Sequence, residues 1–560
     1  LNKLELTREM NTVEDVLKDN GMDDNQTLLG NFEHEKKMIA DFHARVLVVG
    51  AFSSGKSALL NTFMGGKKVL TENISMETAI ATELFYSPEE YAVRVKLDGS
   101  EERCSIEEAK QKNPSDCLKY QFYLPNESLK NLGDIILVDM PGYGSGVKEH
   151  NKAITQYINS AAGYVYVTSS DAGTFDAESQ LFLDEIQNYS SSIKFVLTKC
   201  DKHTPSNIEE IASSVKNNIE YVLGKQVDLL ETSSRSEDAP EKLARLFSSF
   251  DPDELMIGQL GDRCKRDMEF AKDSLITQKG ALQFNSYQID QEIAKNEERK
   301  LQLAKDMEKD KERQLDYVVN KGTEDVLNEV DGRLRSNLYE LVDAAEQGDA
   351  SFNNTVSSIL RPVLNESLSD VLNSSYNSTM KNIVSKFNTD NSLSGEQLVN
   401  AASGFSAGLK TLENKKSGNV AGGSYRIIAS ILSLATSVIN PILEVLIILG
   451  PDLVNMISGL FGPSKREKLS NQIENQVIPK IVEGLRSGVA DNLKKSQAEM
   501  SEKVEEDLQT KLDTINDSIK QLKQERTDKQ LNIQQKQAKL DHGIKVIEKS
   551  LQNIEAAMGE

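Results

Sequence analysis

The 560-residue chain holds 87 acidic and 65 basic residues, a formal charge of −22, which excludes a protein that coats nucleic acid, because phosphate binding needs clustered Lys and Arg. Its length allows about three to four average domains, and 27% charged residues with 12 prolines and no tryptophan point to long solvated helices around a smaller compact domain. Four cysteines (Cys104, Cys117, Cys200, Cys264) and five scattered histidines show neither paired nor metal-ligand spacing, which excludes a disulfide scaffold and a zinc site and fits a reducing, cytoplasmic compartment.

The first twenty residues are acidic and lack the apolar core of a signal peptide. Leu4, Leu6, Met10, Val13 and Leu17 recur at helical spacing, so residues 1–43 read as helices packing on a neck or stalk. The pattern then changes to short β-rich runs at 45–49 (RVLVV), 82–86, 92–97, 134–138 (DIILV), 163–168, 193–197 and 226–230, mostly separated by helical stretches. Such alternation predicts an α/β domain with a largely parallel sheet, placed at 44–250.

Beyond Pro252 the strand signal ends. A first helical arm is expected over 251–424, with Val326, Val330, Leu334, Leu338 and Leu341 on one face and a Gly-, Ser- and Asn-rich loop at 391–424. Within that loop Ser394 and Gln397 read as a helix capping box. Residues 425–463 are the most apolar part of the chain, and 464–560 form a second helical arm. Val504, Leu508, Leu512, Ile515, Ile519 and Leu522 make one stripe; Leu540, Ile544, Ile547, Leu551 and Ile554 make another. Stripes of this kind need a partner helix, and Pro479 argues against one straight rod. The expectation is a long all-α stalk of antiparallel helices, its stripes packed within the chain and the apolar segment at its tip.

Three short motifs sit behind predicted strands. Gly50-Ala-Phe-Ser-Ser-Gly55-Lys56-Ser57 matches the phosphate-binding loop G-x-x-x-x-G-K-[ST] and opens the helical pattern SALLNTFM, with Gly50, Ser53, Ser54, Gly55, Lys56, Ser57 and Ala58 expected to bind nucleotide. Its backbone N–H groups and helix N-terminus attract phosphate, Lys56 reaches the terminal phosphates, and the Ser57 hydroxyl suits Mg²⁺. Asp139-Met-Pro-Gly142 matches D-x-x-G, which places Asp139 near Mg²⁺ and the Gly142 N–H near a γ-phosphate. Thr198-Lys199-Cys200-Asp201 matches [NT]-K-x-D. The Asp201 carboxylate accepts from guanine N1–H and the 2-amino group, and adenine would leave it unpaired. The Lys199 stem covers the base. All three motifs in order predict a guanine-nucleotide fold, with GTP or GDP and Mg²⁺ as ligands. Between the first two, Thr78 is the expected switch threonine on Mg²⁺, with Thr82 as the alternative. Ser233, in Glu231-Thr-Ser-Ser234, is placed beside the base. Tyr143 follows Gly142 where small GTPases carry a glutamine, so catalysis falls to the backbone, Ser53, Ser54, the switch threonine or a partner molecule, and slow hydrolysis by the monomer is expected.

With its S-S-G-K-S core, Thr78 followed by Ala-Ile-Ala-Thr, Asp139–Gly142 with proline third, and Thr198–Asp201, the chain resembles the dynamin superfamily, specifically bacterial dynamin-like proteins and most of all their LeoA type. The resemblance implies a GTPase head, two helical arms and an apolar patch between them. It assigns Lys56 and Ser57 to phosphate and Mg²⁺, Thr78 to the switch, Asp139 to the Mg²⁺ environment and Asp201 to guanine. It places Ser53 near a charge-compensating cation. It further implies head-to-head dimers or larger assemblies, stalk movement on GTP turnover, and membrane binding and remodelling. Phe52 and Met76 depart from residues common in the family.

The apolar segment begins with thirteen uncharged residues at 427–439, is broken by Asn440-Pro441, and resumes at 442–449 with Glu444 inside it. No uncharged run reaches the ~20 residues that span a bilayer. A hairpin or re-entrant wedge is expected instead, with Ile431, Leu432, Leu446, Ile447, Leu460 and Phe461 as lipid contacts and Lys465, Arg466 and Lys468 meeting anionic head groups. Burial of this stretch as the core of the stalk tip is the competing reading. Three functions remain open from residues alone: a peripherally membrane-associated GTP-hydrolysing mechanoenzyme, a nucleotide-gated helical scaffold with little hydrolysis, and a toxin-like helical membrane protein.

Overall fold

The computed structural model describes residues 1–559 except 24, 72–79, 113–115, 143–156, 158–160, 173–174, 176, 188–189, 191, 388–441, 443–465 and 529–532. The expected lipid contacts Ile431, Leu432, Leu446, Ile447, Leu460 and Phe461, the Gly-, Ser- and Asn-rich loop and the capping box at Ser394 all lie outside the described residues. Among the described residues no helix is long and apolar enough to cross a membrane.

The strands are β1 (Ala44–Val49), β2 (Ala81–Tyr86), β3 (Tyr91–Lys96), β4 (Glu101–Cys104), β5 (Cys117–Leu124), β6 (Ile135–Asp139), β7 (Gly163–Ser169), β8 (Ile193–Thr198) and β9 (Leu229–Glu231). They form one sheet in the order β4-β3-β5-β2-β6-β1-β7-β8-β9. Pairings β6-β1, β1-β7, β7-β8, β8-β9 and β2-β5 are parallel, whereas β2-β6, β3-β5 and β3-β4 are antiparallel. The expected mostly parallel α/β head is therefore present. Strand β9 starts three residues later than the β-rich run suggested. Strands β4 and β5 escaped the sequence reading, because β5 (CLKYQFYL) interleaves Lys119 and Gln121 with its aromatic residues and β4 is charged. Their polar side chains face a buried carboxylate and solvent, not an apolar layer.

Preceding the sheet are α1 (Lys3–Asp19) and α2 (Gln26–Ala40); within the head follow α3 (Lys56–Phe63), α4 (Ile106–Gln111), α5 (Glu127–Lys130), α6 (Ala177–Ile186), α7 (Pro205–Leu223) and α8 (Ala239–Ser248). Alternation along β1 divides its residues between two cores, as a pleat requires. Val46 and Val48 join Leu59, Phe63, Leu243 and Phe247 on one face. Leu47 and Val49 join Phe182, Leu183, Val215 and Ile219 on the other.

The helical region comprises α9 (Pro252–Ala281), α10 (Ser286–Tyr317), α11 (Thr323–Ser336), α12 (Leu338–Gln347), α13 (Asp349–Phe387), α14 (Arg466–Gln472), α15 (Ile478–Asp528) and α16 (Ile533–Met558). Leu540, Ile547, Leu551 and Ile554 of α16 share one continuous core with Leu6, Met10, Val13 and Leu17 of α1, with α9 and with one face of the sheet. Val326, Val330, Leu334 and Leu341 pack with Leu508, Leu512 and residues of α13 in a second core, whereas Ile515 and Ile519 pack with Ile289 and Leu522 joins the first core. Cross-helix pairs run in opposite senses along the chain, Asp290 with Lys523, Lys300 with Asp513, Glu324 with Arg486 and Glu346 with Arg466, so the arms are antiparallel. Helix α13 also touches α6 of the head. Pro479 does not end its helix. A π-helical turn at Ile473–Val477 immediately precedes it, which relieves the clash of the proline ring with the preceding turn. The Glu474 carbonyl accepts from Arg335 Nη1 at 3.3 Å.

Candidate nucleotide-binding site

The motif residues meet at one edge of the sheet. Strands β1, β6, β7 and β8 are mutually parallel through β1 and β7, with Val48 opposite Asp139 and Ser169 opposite Thr198. Their C-terminal ends therefore coincide, which is where open α/β sheets bind ligands. Gly50–Ser57, Asp139–Gly142 and Thr198–Asp201 all leave from that edge.

The phosphate loop is built by backbone conformation. Gly50 has φ +153°, and a Cβ there would stand 2.1 Å from the Val167 carbonyl oxygen, so only glycine lets β1 turn away beside β7. Gly55 is a left-handed N-cap of α3 with no side-chain cap bond, leaving the first N–H groups of that helix for an anion. Ser53 and Lys199 are the non-glycine residues with positive φ among those described, both at +59°. Such strain persists where the surrounding structure imposes it, and it concentrates at ligand sites. Here both cases fall in the nucleotide motifs.

Lys56 is buried, and its Nζ donates to the carbonyls of Gly50 and Ala51 at 3.0 Å each. Burial pushes its ammonium down to about 8, against the pull of the neighbouring Asp139 carboxylate. Ser57 Oγ donates to Asp139 Oδ2 at 2.7 Å. Asp139 Oδ1 is buried with no hydrogen-bond partner among the described residues. Burial pushes this carboxyl up to about 6, despite the Ser57 bond and the Lys56 charge. Gly142 lies against the loop: a Cβ there would stand 2.6 Å from Phe52 Cα and 3.1 Å from Lys56 Nζ. The Ser54 hydroxyl is a further buried group without a partner among the described residues. Ala58 continues α3, where its carbonyl accepts from Thr62 Oγ1 at 2.8 Å.

Thr198 joins the motifs. Its Oγ1 lies 2.5 Å from the Ser54 carbonyl and 3.1 Å from that of Thr168, tying the phosphate loop to β7 and β8. Asp201 sits on the 3₁₀ turn Cys200–Lys202. Its Oδ1 accepts from Ser233 Oγ at 2.6 Å, and Arg235 Nη1 stands 3.6 Å from its Oδ2. Thr62 Oγ1 on α3 also stands 3.4 Å from the Ser234 carbonyl, so the Ser233 segment lies beside the phosphate-loop helix. The structure thus brings together Gly50, Ser53, Ser54, Gly55, Lys56, Ser57, Asp139, Gly142, Thr198, Lys199, Asp201 and Ser233. Thr78 lies outside the described residues; Thr82 lies on β2 opposite Asp139 and is buried.

Arg235, Ser170 and Asp171 escaped the sequence reading. Ser170 donates to the Lys199 carbonyl at 2.9 Å, holding the left-handed residue in place. Asp171 Oδ2 accepts from Lys202 Nζ at 2.6 Å and from Lys199 Nζ at 3.0 Å. Those two ammoniums, Lys202 foremost, hold the Asp171 carboxyl below the usual range. The only sequence signal was their place directly behind a buried strand.

Residues 46–200 match the profile described as "Dynamin family". A protein of Caldicellulosiruptor sp. (strain Rt8B.4), named only as an uncharacterized protein in the xynA 3′ region, is 29% identical over 211 residues, 35% of this chain and 51% of that protein. The probable transmembrane GTPase FZO-like, chloroplastic, of Arabidopsis thaliana is 31% identical over 193 residues, 34% of this chain and 19% of that protein. The chain thus spans about half of the first of these relatives and a fifth of the second. Among solved structures, an oligomerised bacterial dynamin pair described as sensing and tethering membranes at long range is 14% identical, with TM-score 0.33 and coverage of 94% of this chain and 92% of that one. The LeoA bacterial dynamin GTPase from ETEC is 13% identical, with TM-score 0.31 and coverage of 93% and 97%. Residues 46–200 are thus a dynamin-family domain.

Proposed function

We propose that the chain binds guanine nucleotide with Mg²⁺ at this edge of the sheet and hydrolyses GTP to GDP and phosphate. The observation that carries this reading is the arrangement around Asp139: a buried carboxylate oxygen without a partner among the described residues, beside the Ser57 hydroxyl and the buried Lys56 ammonium. An orphaned anionic oxygen in a buried site is costly unless a cation completes it, and hydroxyl and carboxylate oxygens are the donors Mg²⁺ prefers. Ser57 and Asp139 would hold the metal environment, with Thr78 joining them. Bound there, Mg²⁺ would neutralise charge on the β- and γ-phosphate oxygens.

The chain's own residues supply the rest. Lys56 leaves the Gly50 and Ala51 carbonyls for the phosphates, and the N–H groups after Gly55 and the hydroxyls of Ser53 and Ser54 line the same loop. Asp201, with Ser233 fixing one oxygen, reads the guanine edge, while Lys199 covers the base. No side chain among these is a base strong enough to activate water, so turnover by the isolated chain is slow. Residues 44–250 act as the GTPase unit and the arms 251–424 and 464–560 carry its output. Nucleotide state is coupled to rearrangement of those arms, to head-to-head self-assembly and to lipid contact through 425–463, peripheral to a membrane and facing the cytoplasm.

Phosphate release measured with GTP and with ATP tests the reading, over a range of protein concentration and with added anionic liposomes. Turnover of GTP but not ATP is expected, rising more than linearly with protein concentration and with lipid. Equal turnover of both nucleotides, or none at any concentration, would overturn it.

A further inference from the structure

Reading guanine through Asp201 requires a carboxylate that is held in place and left unclaimed by other charges. Two ammoniums stand close to it in sequence, Lys199 two residues before and Lys202 next after. An ammonium paired with Asp201 would compete with the base, since both need the same oxygen lone pairs. Both ammoniums turn instead to a third residue: Asp171 Oδ2 accepts from Lys202 Nζ at 2.6 Å and from Lys199 Nζ at 3.0 Å. Among the described residues the cation nearest Asp201 is Arg235, 3.6 Å from its Oδ2. That side chain is 81% exposed, so solvent screens the contact.

The placement of Asp171 follows from the sheet. Strands β7 and β8 are parallel, with Ser169 opposite Thr198, so the chain leaving β7 emerges beside the chain leaving β8. It forms the 3₁₀ turn Ser170–Ala172, in which the Asp171 N–H donates to Ser169 Oγ at 3.2 Å. Ser170 Oγ donates to the Lys199 carbonyl at 2.9 Å. Lys199, at φ +59°, is therefore gripped twice from the end of β7, by its carbonyl and by its ammonium. Lys202 is gripped on the other side of Asp201, and its N–H donates back to the Lys199 carbonyl at 3.1 Å. One carboxylate thus spans the base-reading turn. Charge-assisted bonds of this length are stronger than neutral ones. Without them, two ammoniums in one short turn would have Asp201 between them as the neighbouring carboxylate.

We propose that Asp171 is a specificity-determining positioning residue for the base: it holds the Lys199 stem in place and keeps both ammoniums off Asp201, so that this carboxylate is free for guanine. This rests on the reading of Asp201 as the guanine-binding acid. Among the described residues the bonds of Asp171 run to Ser169 and to the base-reading turn, not to Gly50–Ser57 or Asp139. Its effect therefore falls on affinity for the base and not on the phosphate chemistry.

The experiment is calorimetric titration of GDP into the full chain, with kcat and KM for GTP and the thermal midpoint measured alongside. The variants are Asp171→Asn, Asp171→Glu, Lys199→Ala/Lys202→Ala, and that pair combined with Asp171→Asn. Asp171→Asn should weaken GDP binding about fivefold, the size of two partly exposed ion pairs, and raise KM for GTP in proportion. Its kcat and midpoint should stay within about twofold and about 2 °C of the wild type, as for a surface substitution. Asp171→Glu keeps the charge and should recover most of the loss. In the chain lacking both lysines, Asp171→Asn should change affinity by less than about twofold, because the groups it acts through are gone. Unchanged GDP affinity in Asp171→Asn overturns the inference and leaves the guanine reading standing. So does an equal loss with both lysines removed, or a loss accompanied by a lower midpoint, which would mark Asp171 as a general support of the fold. A wild-type chain that binds GDP no more tightly than ADP overturns both.

Discussion

Asp139 and Glu83 are buried carboxylates on neighbouring antiparallel strands, one register position apart, with Thr82 opposite Asp139 and Val138 opposite Glu83. They are held in opposite ways. Glu83 has two cations, Arg45 and Lys119, and two neutral donors, Gln121 and Tyr157, and its charge is favoured. Asp139 has one hydroxyl donor and an orphaned oxygen, and its charge is disfavoured. Burial is the same opposing force in both, so the difference lies in the partners. A carboxylate whose partners are all on the chain specifies the fold; one whose partners are incomplete is built for something that arrives.

The sharpest way to break this contrast is to neutralise each acid without changing its shape. Glu83→Gln leaves Arg45 and Lys119 facing a neutral amide in a buried site, and should lower unfolding free energy by about 3–5 kcal/mol. Asp139→Asn removes a disfavoured charge, and should leave the ligand-free chain as stable as the wild type or more so, while Mg²⁺-dependent GTP turnover falls. Urea melts of the two variants decide it; equal destabilisation would remove the distinction.

Next in size is Lys56→Ala, which deletes the buried ammonium beside Asp139. Turnover of GTP should fall by about 100- to 1,000-fold, the usual loss for one preorganised donor in an active site, measured as phosphate release. Asp201→Asn should lower discrimination of guanine from other bases by about 1–3 kcal/mol. The amide N–H suits a carbonyl at C2, so competition with xanthine nucleotide reads the effect as a reversal of preference.

The smallest expected effect is on pH. The folded pKa of Asp139, about 6, lies above its ordinary value of ~3.9. Stability from this group is therefore present below ~4 and lost as pH rises through about 6. For Lys56 the folded pKa of about 8 lies below ~10.4, so its contribution is present above ~10 and lost as pH falls through about 8. Binding of Mg²⁺ and phosphate needs the opposite forms, ionised Asp139 and charged Lys56. Affinity for Mg²⁺–GDP should hence be highest between about pH 6 and 8 and fall by about tenfold per pH unit beyond either limb. In Lys56→Arg the alkaline limb should disappear, because a guanidinium does not deprotonate in this range.

Much of the site was legible in the residues because its chemistry is local. A loop that must turn sharply and expose N–H groups needs Gly50 and Gly55 at fixed spacing, and a carboxylate behind a buried run announces Asp139 and Asp201. The helical stripes were legible because burial repeats with the helical period; Leu540, Ile547, Leu551 and Ile554 all lie in the core. Ser170, Asp171, Arg235 and the Glu83 cluster were not legible. Their partners lie tens of residues away, and nothing in the local pattern distinguishes Glu83 on a strand from an exposed acid.

By itself, then, the order of residues determined the chemical class of the phosphate loop, the alternation that makes an α/β head, and the apolar faces that demand helical partners, since each depends on neighbours within a few positions. Only the tertiary structure decided which strands adjoin, and with them the two fates of the buried carboxylates. Pairing β2 against β6 sets Thr82 facing Asp139 and turns Glu83 toward Tyr157 on the other face. The physical reason is that a side chain's charge state is set by the dielectric and donors around it, and those are contributed by segments that only folding brings near.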